Sequence, residues 1–331
     1  MRLLLALGLA IALLAACSGP QIAAFGSNSE IVIITSPRAA EEGEILRSIL
    51  EREIVTIQYE KAFEIRLVTT GDVESDQNRK NIILLDFLEP KGDLAGKILD
   101  LAKGDRSAFS SGERNLKTVD DRWARGQAVM LIAAPTKTAL NELLTQDADR
   151  VYDYVSDQVQ RRLNRAIFYA GEQEAATQRL ADTYGWSLRL PTNYDIDETY
   201  AAQRVIKILR DKPARMITVY WEGGDWEDRA ASCLERKKML AYEFWDQDEV
   251  VEEALQVREG KFLGHDCTVL SGTWENKKYT IGGAFVTYCF RCDKCGQKYV
   301  VDASVFAPGL EKLPLIRELK AVLSSFRCCE E

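Results

Sequence analysis

One histidine, His265, stands in the whole chain of 331 residues. Any Ser-His-Asp or Cys-His device would have to use it. It falls in Lys261-Phe262-Leu263-Gly264-His265-Asp266, which reads as a loop before a strand. An exposed loop residue is therefore expected, not a catalytic base. Positive charge is also in short supply: 43 Lys and Arg stand against 51 Asp and Glu, a formal net charge of −8. Such a chain is a poor partner for nucleic acid or an anionic lipid surface. The charges are mixed in sign along most helical stretches, as on solvated faces.

A glycine loop for phosphates is missing as well. Gly282-Gly283 stands before a strand and not before a helix, so it lacks the context of a phosphate cradle. It reads as a tight turn or bulge. The carboxylate groups Asp120/Asp121, Asp195/Asp197 and Asp246/Asp248/Glu249 have no fixed partner in sequence. The last lacks the spacing and the glycine of a calcium loop, and all three read as solvated loops. No cofactor motif, internal repeat or low-complexity tract is present. Beyond residue 17 no apolar run approaches the roughly 20 residues that cross a bilayer.

What the chain does have begins at its start. Arg2 precedes an apolar run from Leu3 to Ala16, which ends in Leu14-Ala15-Ala16-Cys17 and then Ser18-Gly19-Pro20. A charged start, a short apolar core and small residues before the cut mark an export signal. Leu-Ala-Ala-Cys resembles the lipobox of bacterial lipoproteins. That resemblance implies cleavage before Cys17, lipid on Cys17, and a firm anchor, since more than one acyl chain holds stably. Ser18 in place of Asp favours the outer membrane, facing the periplasm. The only membrane attachment expected is this lipid.

The expected layout is a signal at 1–16 and a lipidated tether at 17–29. An N-terminal α/β domain follows at 30–147, then a connecting long helix or helix pair at 148–185. A C-terminal antiparallel α+β domain fills 186–331. Strands are expected at 31–35, 63–68, 81–87 and 128–133, where β-branched and apolar runs concentrate. Ala40 to Ile54 has helical spacing, and Thr136 is a plausible N-cap for a helix to Leu144. Val151, Val155, Val159 and Leu163 repeat every four residues in the connecting segment.

From Trp186 strands dominate, at 186–191, 204–209, 216–221, 267–274, 284–290 and 298–306. Asp225 is expected to cap a helix running to about Tyr242. Asp293-Lys294-Cys295-Gly296 is a hairpin turn, and a closing helix carries Ile316, Leu319, Val322, Leu323 and Phe326. The fold class is α+β in two domains. The second is an antiparallel sheet packed against helices, with the helices expected on one face.

The residues also resemble a known family of uncharacterised bacterial lipoproteins, domain of unknown function 4837. In the first half Asp121-Arg122-Trp123-Ala124-Arg125-Gly126-Gln127 carries the likeness. In the second half it is carried by Thr273-Trp274 with Ile281 to Tyr288, by Asp302 to Gly309, and by Arg317 to Phe326. The likeness runs over nearly the whole mature chain. Ala284 stands where the family has Pro, and the hairpin cysteines replace polar turn residues. The resemblance implies an envelope lipoprotein and assigns no catalytic residue.

Eight cysteines are present. With Cys17 taken by lipid, an odd set remains and at least one thiol is unpaired. Cys289, Cys292 and Cys295 form Cys-x₂-Cys-x₂-Cys. This spacing leaves open a disulfide, with Cys292 and Cys295 spanning the hairpin tip, or inert thiols, or a metal or redox site. A fourth metal ligand would come from Cys267, His265, Cys328 or Cys329. Trp221, Trp226, Tyr242, Phe244 and Trp245 gather near the second-domain helix and would fill core or line a groove. The function expected is a non-enzymatic envelope module that binds a partner protein or small ligand, with no cofactor and no nucleic acid. The alternatives are a hydrolase-like enzyme using carboxylates, or a thiol or metal site at Cys289, Cys292 and Cys295.

Overall fold

The computed structural model describes residues 21–329. The expected signal segment and the expected lipid site, Cys17, lie outside the described residues. The chain divides into two compact units, one of residues up to 51 with 63–162, the other of 52–62 with 163 onward.

The elements of the first part are β1 (Glu30–Thr35), α1 (Ala40–Leu50), β2 (Glu53–Val55), β3 (Tyr59–Lys61), β4 (Glu64–Val68) and β5 (Asn81–Phe87). They are followed by α2 (Asp93–Ala102), α3 (Arg106–Ser111), β6 (Leu116–Asp120), β7 (Ala128–Ala134), α4 (Lys137–Gln146) and α5 (Ala148–Ala166). The first unit holds a five-stranded sheet in the order β4-β1-β5-β7-β6. Its first four strands are parallel, and β6 runs antiparallel to β7. β5 and β7 are buried along their whole length, as strands covered by helices on both faces must be. Val32, Ile34, Ile82 and Leu84 turn one way, toward α2 and α3. Their neighbours Ile31, Ile33, Ile83 and Leu85 turn the other way by strand alternation, and α1 and α4 pack on the sheet as well. Thr136 caps α4, its Oγ1 accepting from the Ala139 N–H at 3.2 Å.

Residues 21–29 are not a free tether. Ala24 N donates to Arg125 O at 2.9 Å, Phe25 N donates to Asn78 O at 3.0 Å, and Arg79 lies over the Phe25 ring. The segment resembling the lipoprotein family closes around Asp121, whose Oδ1 accepts from Gly126 N and Gln127 N. The connecting segment is a broken pair, α5 and then α6 (Glu174–Tyr184). The boundary between the units falls inside α5.

The second unit continues with β8 (Trp186–Ser187), β9 (Asp195–Asp197), β10 (Val205–Arg210), β11 (Ala214–Gly223), α7 (Arg229–Phe244) and β12 (Glu249–Val250). It closes with β13 (Gln256–Phe262), β14 (His265–Asn276), β15 (Ile281–Arg291), β16 (Gln297–Phe306), α8 (Leu313–Leu323) and β17 (Arg327–Cys328). Its large sheet runs β12-β14-β15-β16-β11-β10-β9, antiparallel throughout, with β13 added on β14.

Side chains alternate between two cores. Val286, Phe290, Val301, Ala303 and Val305 meet Leu319, Val322, Leu323 and Phe326, the α8 side. Phe285, Cys289 and Val300 meet Cys233 and Leu240 of α7. Helices therefore cover both faces, not one. The expectation of a one-sided sheet failed because β15 and β16 carry apolar residues at odd and even positions alike, which marks a strand buried twice.

Two local expectations differ from the structure. The cap of α7 is Asp228 and not Asp225: Asp228 Oδ1 accepts from Ala231 N at 3.1 Å. Gly282-Gly283 lies within β15, paired with Glu275 and Trp274, and is not a turn. The β2–β3 hairpin had no signal in the sequence reading. It belongs to the second unit, where the buried Glu60 carboxylate accepts from Lys312 N and Leu313 N at 2.7–2.9 Å. A carboxylate there satisfies the unpaired N–H groups that open α8 and complements its dipole.

Candidate functional site

The cysteines expected at the hairpin are drawn apart by strand alternation. Cys289 points toward α7 and forms a buried disulfide with Cys233, with Cα atoms 5.8 Å apart. Cys292 lies past the end of β15, and the structure pairs it with Cys328 beside the closing strand. The expected pairing of Cys292 with Cys295 is therefore not the one formed. Cys295 is an exposed thiol, Cys329 a half-buried one and Cys267 a buried one. Burial pushes the Cys267 thiol up to about 11, which leaves it protonated and inert at neutral pH. Cys233 was not singled out in sequence, since its partner lies 56 residues away.

His265 opens β14 and is only half-buried; it is not in a loop. Its ring stacks on Phe290, and its Nε2 stands 3.5 Å from Cys328 Sγ. Among the described residues no hydroxyl nucleophile is a hydrogen-bond partner of its ring.

The second constellation is a groove of about 540 Å³ beside the C-terminal end of α7. Tyr200, Phe244, Trp245, Trp274, Tyr279 and Phe306 give it aromatic walls, with Lys207, Glu243, Asp246, Asp248 and Asn276 between them. Lys207 Nζ sits 4.9 Å from the Tyr200 ring and 4.8 Å from the Trp245 ring, and it pairs with Asp197 at 3.1 Å. The Trp245 indole N–H donates to Thr218 Oγ1 at 2.9 Å, which fixes the ring plane. Asn276 Nδ2 donates to Asp248 at 2.8 Å and to the Asp246 carbonyl.

The two acids differ as their surroundings do. Burial raises the Asp248 pKa above the usual carboxylate range, although Asn276 and Lys237 pull the other way. Asp246 is exposed, and its pKa is lowered by hydrogen bonds from Tyr279 and Lys278. The reading of 246–249 as a solvated loop thus holds for Asp246 and fails for Asp248. Of the five aromatics expected near this helix, Phe244 and Trp245 line the groove. Trp221 instead packs with Tyr184 and Trp186 on the opposite face of the sheet. Trp226 lies under Lys298, and Tyr242 is exposed.

A small void shares Met216, Trp245, Asp248 and Trp274 with the groove and is also bounded by Lys237, Ala241 and Ser304. Lys237 is almost fully buried and pairs with Asp302 at 2.9 Å. Asp302 also accepts from Thr287 Oγ1 at 2.6 Å and Ser304 Oγ at 2.8 Å. Lys237 Nζ lies 4.5 Å from the Phe285 ring. This network was missed in the sequence. Its only trace is the polar residues Thr287, Asp302 and Ser304 at alternate positions inside two otherwise apolar strands.

Comparison with known families divides the chain much as the structure does. Residues 173–325 match the model of a domain of unknown function, DUF4837, and residues 24–168 match that of another, DUF8532. The likeness expected over nearly the whole chain is therefore carried by the second part, and Asp121 to Gln127 fall under the other model. No curated protein matches. Among solved structures, one from Bacteroides thetaiotaomicron is similar at 9% identity and TM-score 0.29, over 44% of this chain and 46% of that one. The chain thus spans less than half the length of that protein. The Saccharomyces cerevisiae Ran-binding protein Mog1p is similar at 9% identity and TM-score 0.31, over 44% of this chain and 92% of Mog1p. LpqN, involved in cell envelope biogenesis of Mycobacterium tuberculosis, is similar at 12% identity and TM-score 0.30, over 44% and 83%.

Proposed function

We propose that the chain is an exported lipoprotein whose second unit is a non-enzymatic binding module. It is held through lipid on Cys17 at the outer membrane, facing the periplasm. The observation that carries the binding role is the groove: open, aromatic-walled, and flanked by buried polar groups that are already ordered. Pockets of this kind bind ligands with an apolar body and a few placed polar contacts. Aromatic walls with a few polar groups between them favour a ligand or partner segment with a flat apolar body. Two further features support export. The Leu-Ala-Ala-Cys sequence ends an export signal, and disulfides such as Cys233–Cys289 persist in oxidising compartments. Among the described residues no helix is long and apolar enough to cross a membrane.

The binding role is tested with the protein extracted from its own membranes in mild detergent and examined by native mass spectrometry. The wild type is expected to carry a non-covalent adduct. Trp245→Ala should lose it by tenfold or more, and Trp123→Ala, in the other unit, should retain it. Equal adduct on Trp245→Ala and wild type, with both folded, would remove the groove from the reading.

A further inference from the structure

Four sulfurs from two distant stretches of chain converge beside the sheet. Cys292 precedes and Cys295 sits in the turn between β15 and β16, while Cys328 ends β17 and Cys329 follows it. Cys292 and Cys328 are bonded. Cys329 Sγ lies 3.4 Å from Cys292 Sγ, and the sulfurs of Cys292, Cys295 and Cys329 all lie within 4.8 Å of one another. The turn that presents Cys295 is closed by Gly296 N donating to Cys292 O at 2.9 Å, with Gly296 at φ +67°. Both thiols line an open pocket of about 540 Å³ whose walls include Tyr184, Trp221 and Tyr299.

The geometry points to an internal disulfide relay, in which the half-buried Cys292–Cys328 bond is passed to Cys295 and Cys329 and presented in the aromatic pocket to a thiol-bearing substrate. In the first step the Cys329 thiolate attacks Cys292 Sγ. A Cys292–Cys329 bond forms, the Cys292–Cys328 bond breaks, and Cys328 leaves as a thiolate. Cys328 Sγ, 3.5 Å from His265 Nε2, then takes a proton from solvent. In the second step the Cys295 thiolate attacks Cys329 Sγ, and Cys292 leaves as a thiolate and is protonated. The net change is one disulfide moved and two thiols exchanged, so no outside oxidant is used. A substrate thiolate can then attack Cys295 Sγ. A mixed disulfide forms there and Cys329 is released.

The attacking thiol sets the rate. Burial and the neighbouring Cys295 push the Cys329 thiol up to about 11, against a smaller lowering by Lys294. Tyr299 from β16 and Asp182 from α6 also face this pocket, and burial raises the Tyr299 pKa so far that the phenol stays neutral. The thiolate is therefore a minor species at neutral pH. The relay should quicken about tenfold per pH unit between pH 7 and 10, as thiolate attack requires.

The test is alkylation of the full mature chain followed by non-reducing peptide mapping. In the wild type a fraction of molecules should protect Cys295 and Cys329 while Cys292 and Cys328 become alkylated, and this fraction should be reached faster at higher pH. Cys295→Ser should stop at Cys292–Cys329 with Cys328 alkylated. Cys329→Ser should hold Cys292–Cys328 and leave Cys295 alkylated in every molecule. Adding glutathione to the wild type should place its mixed disulfide on Cys295. Full alkylation of Cys295 and Cys329 at every pH, with Cys292–Cys328 intact, would overturn the relay. So would one equivalent of tightly bound zinc in the purified chain that is lost in Cys295→Ser, since the four sulfurs would then be a metal centre.

Discussion

Replacing Asp302 by Ala should cost about 3–5 kcal/mol of stability, the range for removing one partner of a buried ion pair. The charge left behind is the reason. Lys237 is almost fully buried, its ammonium hydrogen-bonds to Asp302 at 2.9 Å and lies 4.5 Å from the Phe285 ring, and the partly buried Asp248 across the void makes no ion pair with it among those described. With the carboxylate gone, the Thr287 and Ser304 hydroxyls also lose their acceptor. The pair itself stabilises much less than its loss would suggest, because burying both charges was costly. Lys237→Met with Asp302→Leu should therefore lose less than the sum of the two single changes. Urea unfolding followed by tryptophan fluorescence measures all four variants: Asp302→Ala, the two single changes and the double. A loss below about 1 kcal/mol for Asp302→Ala would mean that water reaches Lys237 and that the void beside the groove is not sealed.

The second large effect is expected at a glycine. Gly283→Ala should cost at least about 3 kcal/mol or prevent folding, at the severe end of overpacking. A Cβ there would stand 1.7 Å from the Val305 carbonyl oxygen and 2.6 Å from Trp274 Nε1. Both are fixed. Val305 lies in β16, paired with β15, and Trp274 sits across from Gly283 on β14. Relief would need the central strands to part. Gly223→Ala is the control, at the end of β11, where nothing lies within 4 Å of an added Cβ. It should change stability by no more than about 0.5 kcal/mol, as exposed sites do. Thermal melts of the two variants should differ widely, and equal melting would contradict the close approach.

Gly283 also shows how far the sequence could be read. The Gly-Gly pair reads in sequence as a tight turn or bulge. Its placement in a turn was wrong, because glycine inside a strand and glycine in a turn look alike until the partner strand is known. Periodicity located β5 to the residue, and it found the central strands β10, β11, β14, β15 and β16 to within a few residues. It missed β13, whose residues are nearly all exposed and carry no apolar alternation. It also missed the β2–β3 hairpin, whose main anchor is a buried carboxylate reaching a helix some 250 residues away.

The site was less legible than the fold. Cys-x₂-Cys-x₂-Cys drew attention to the hairpin, but a strand sends Cys289 and Cys292 to different neighbours, so local spacing could not assign partners. The acids at 246–249 read as solvent-facing. Asp248 is partly buried only because α7 ends over β14, where Asn276 meets it. Lys237 gave no signal at all. Lysine on a helix is normally exposed, and its counter-charge lies 65 residues further on.

The proposed module is exported, lipid-anchored at Cys17, and holds a ligand in the groove of its second unit. The most direct measurement is the native mass of the protein released from the membranes of its own cells. The expected species begins at Cys17, carries covalent acyl mass, and bears a further non-covalent mass that collisional activation removes. A chain that retains residues 1–16, or one without acyl mass and without adduct, would contradict it.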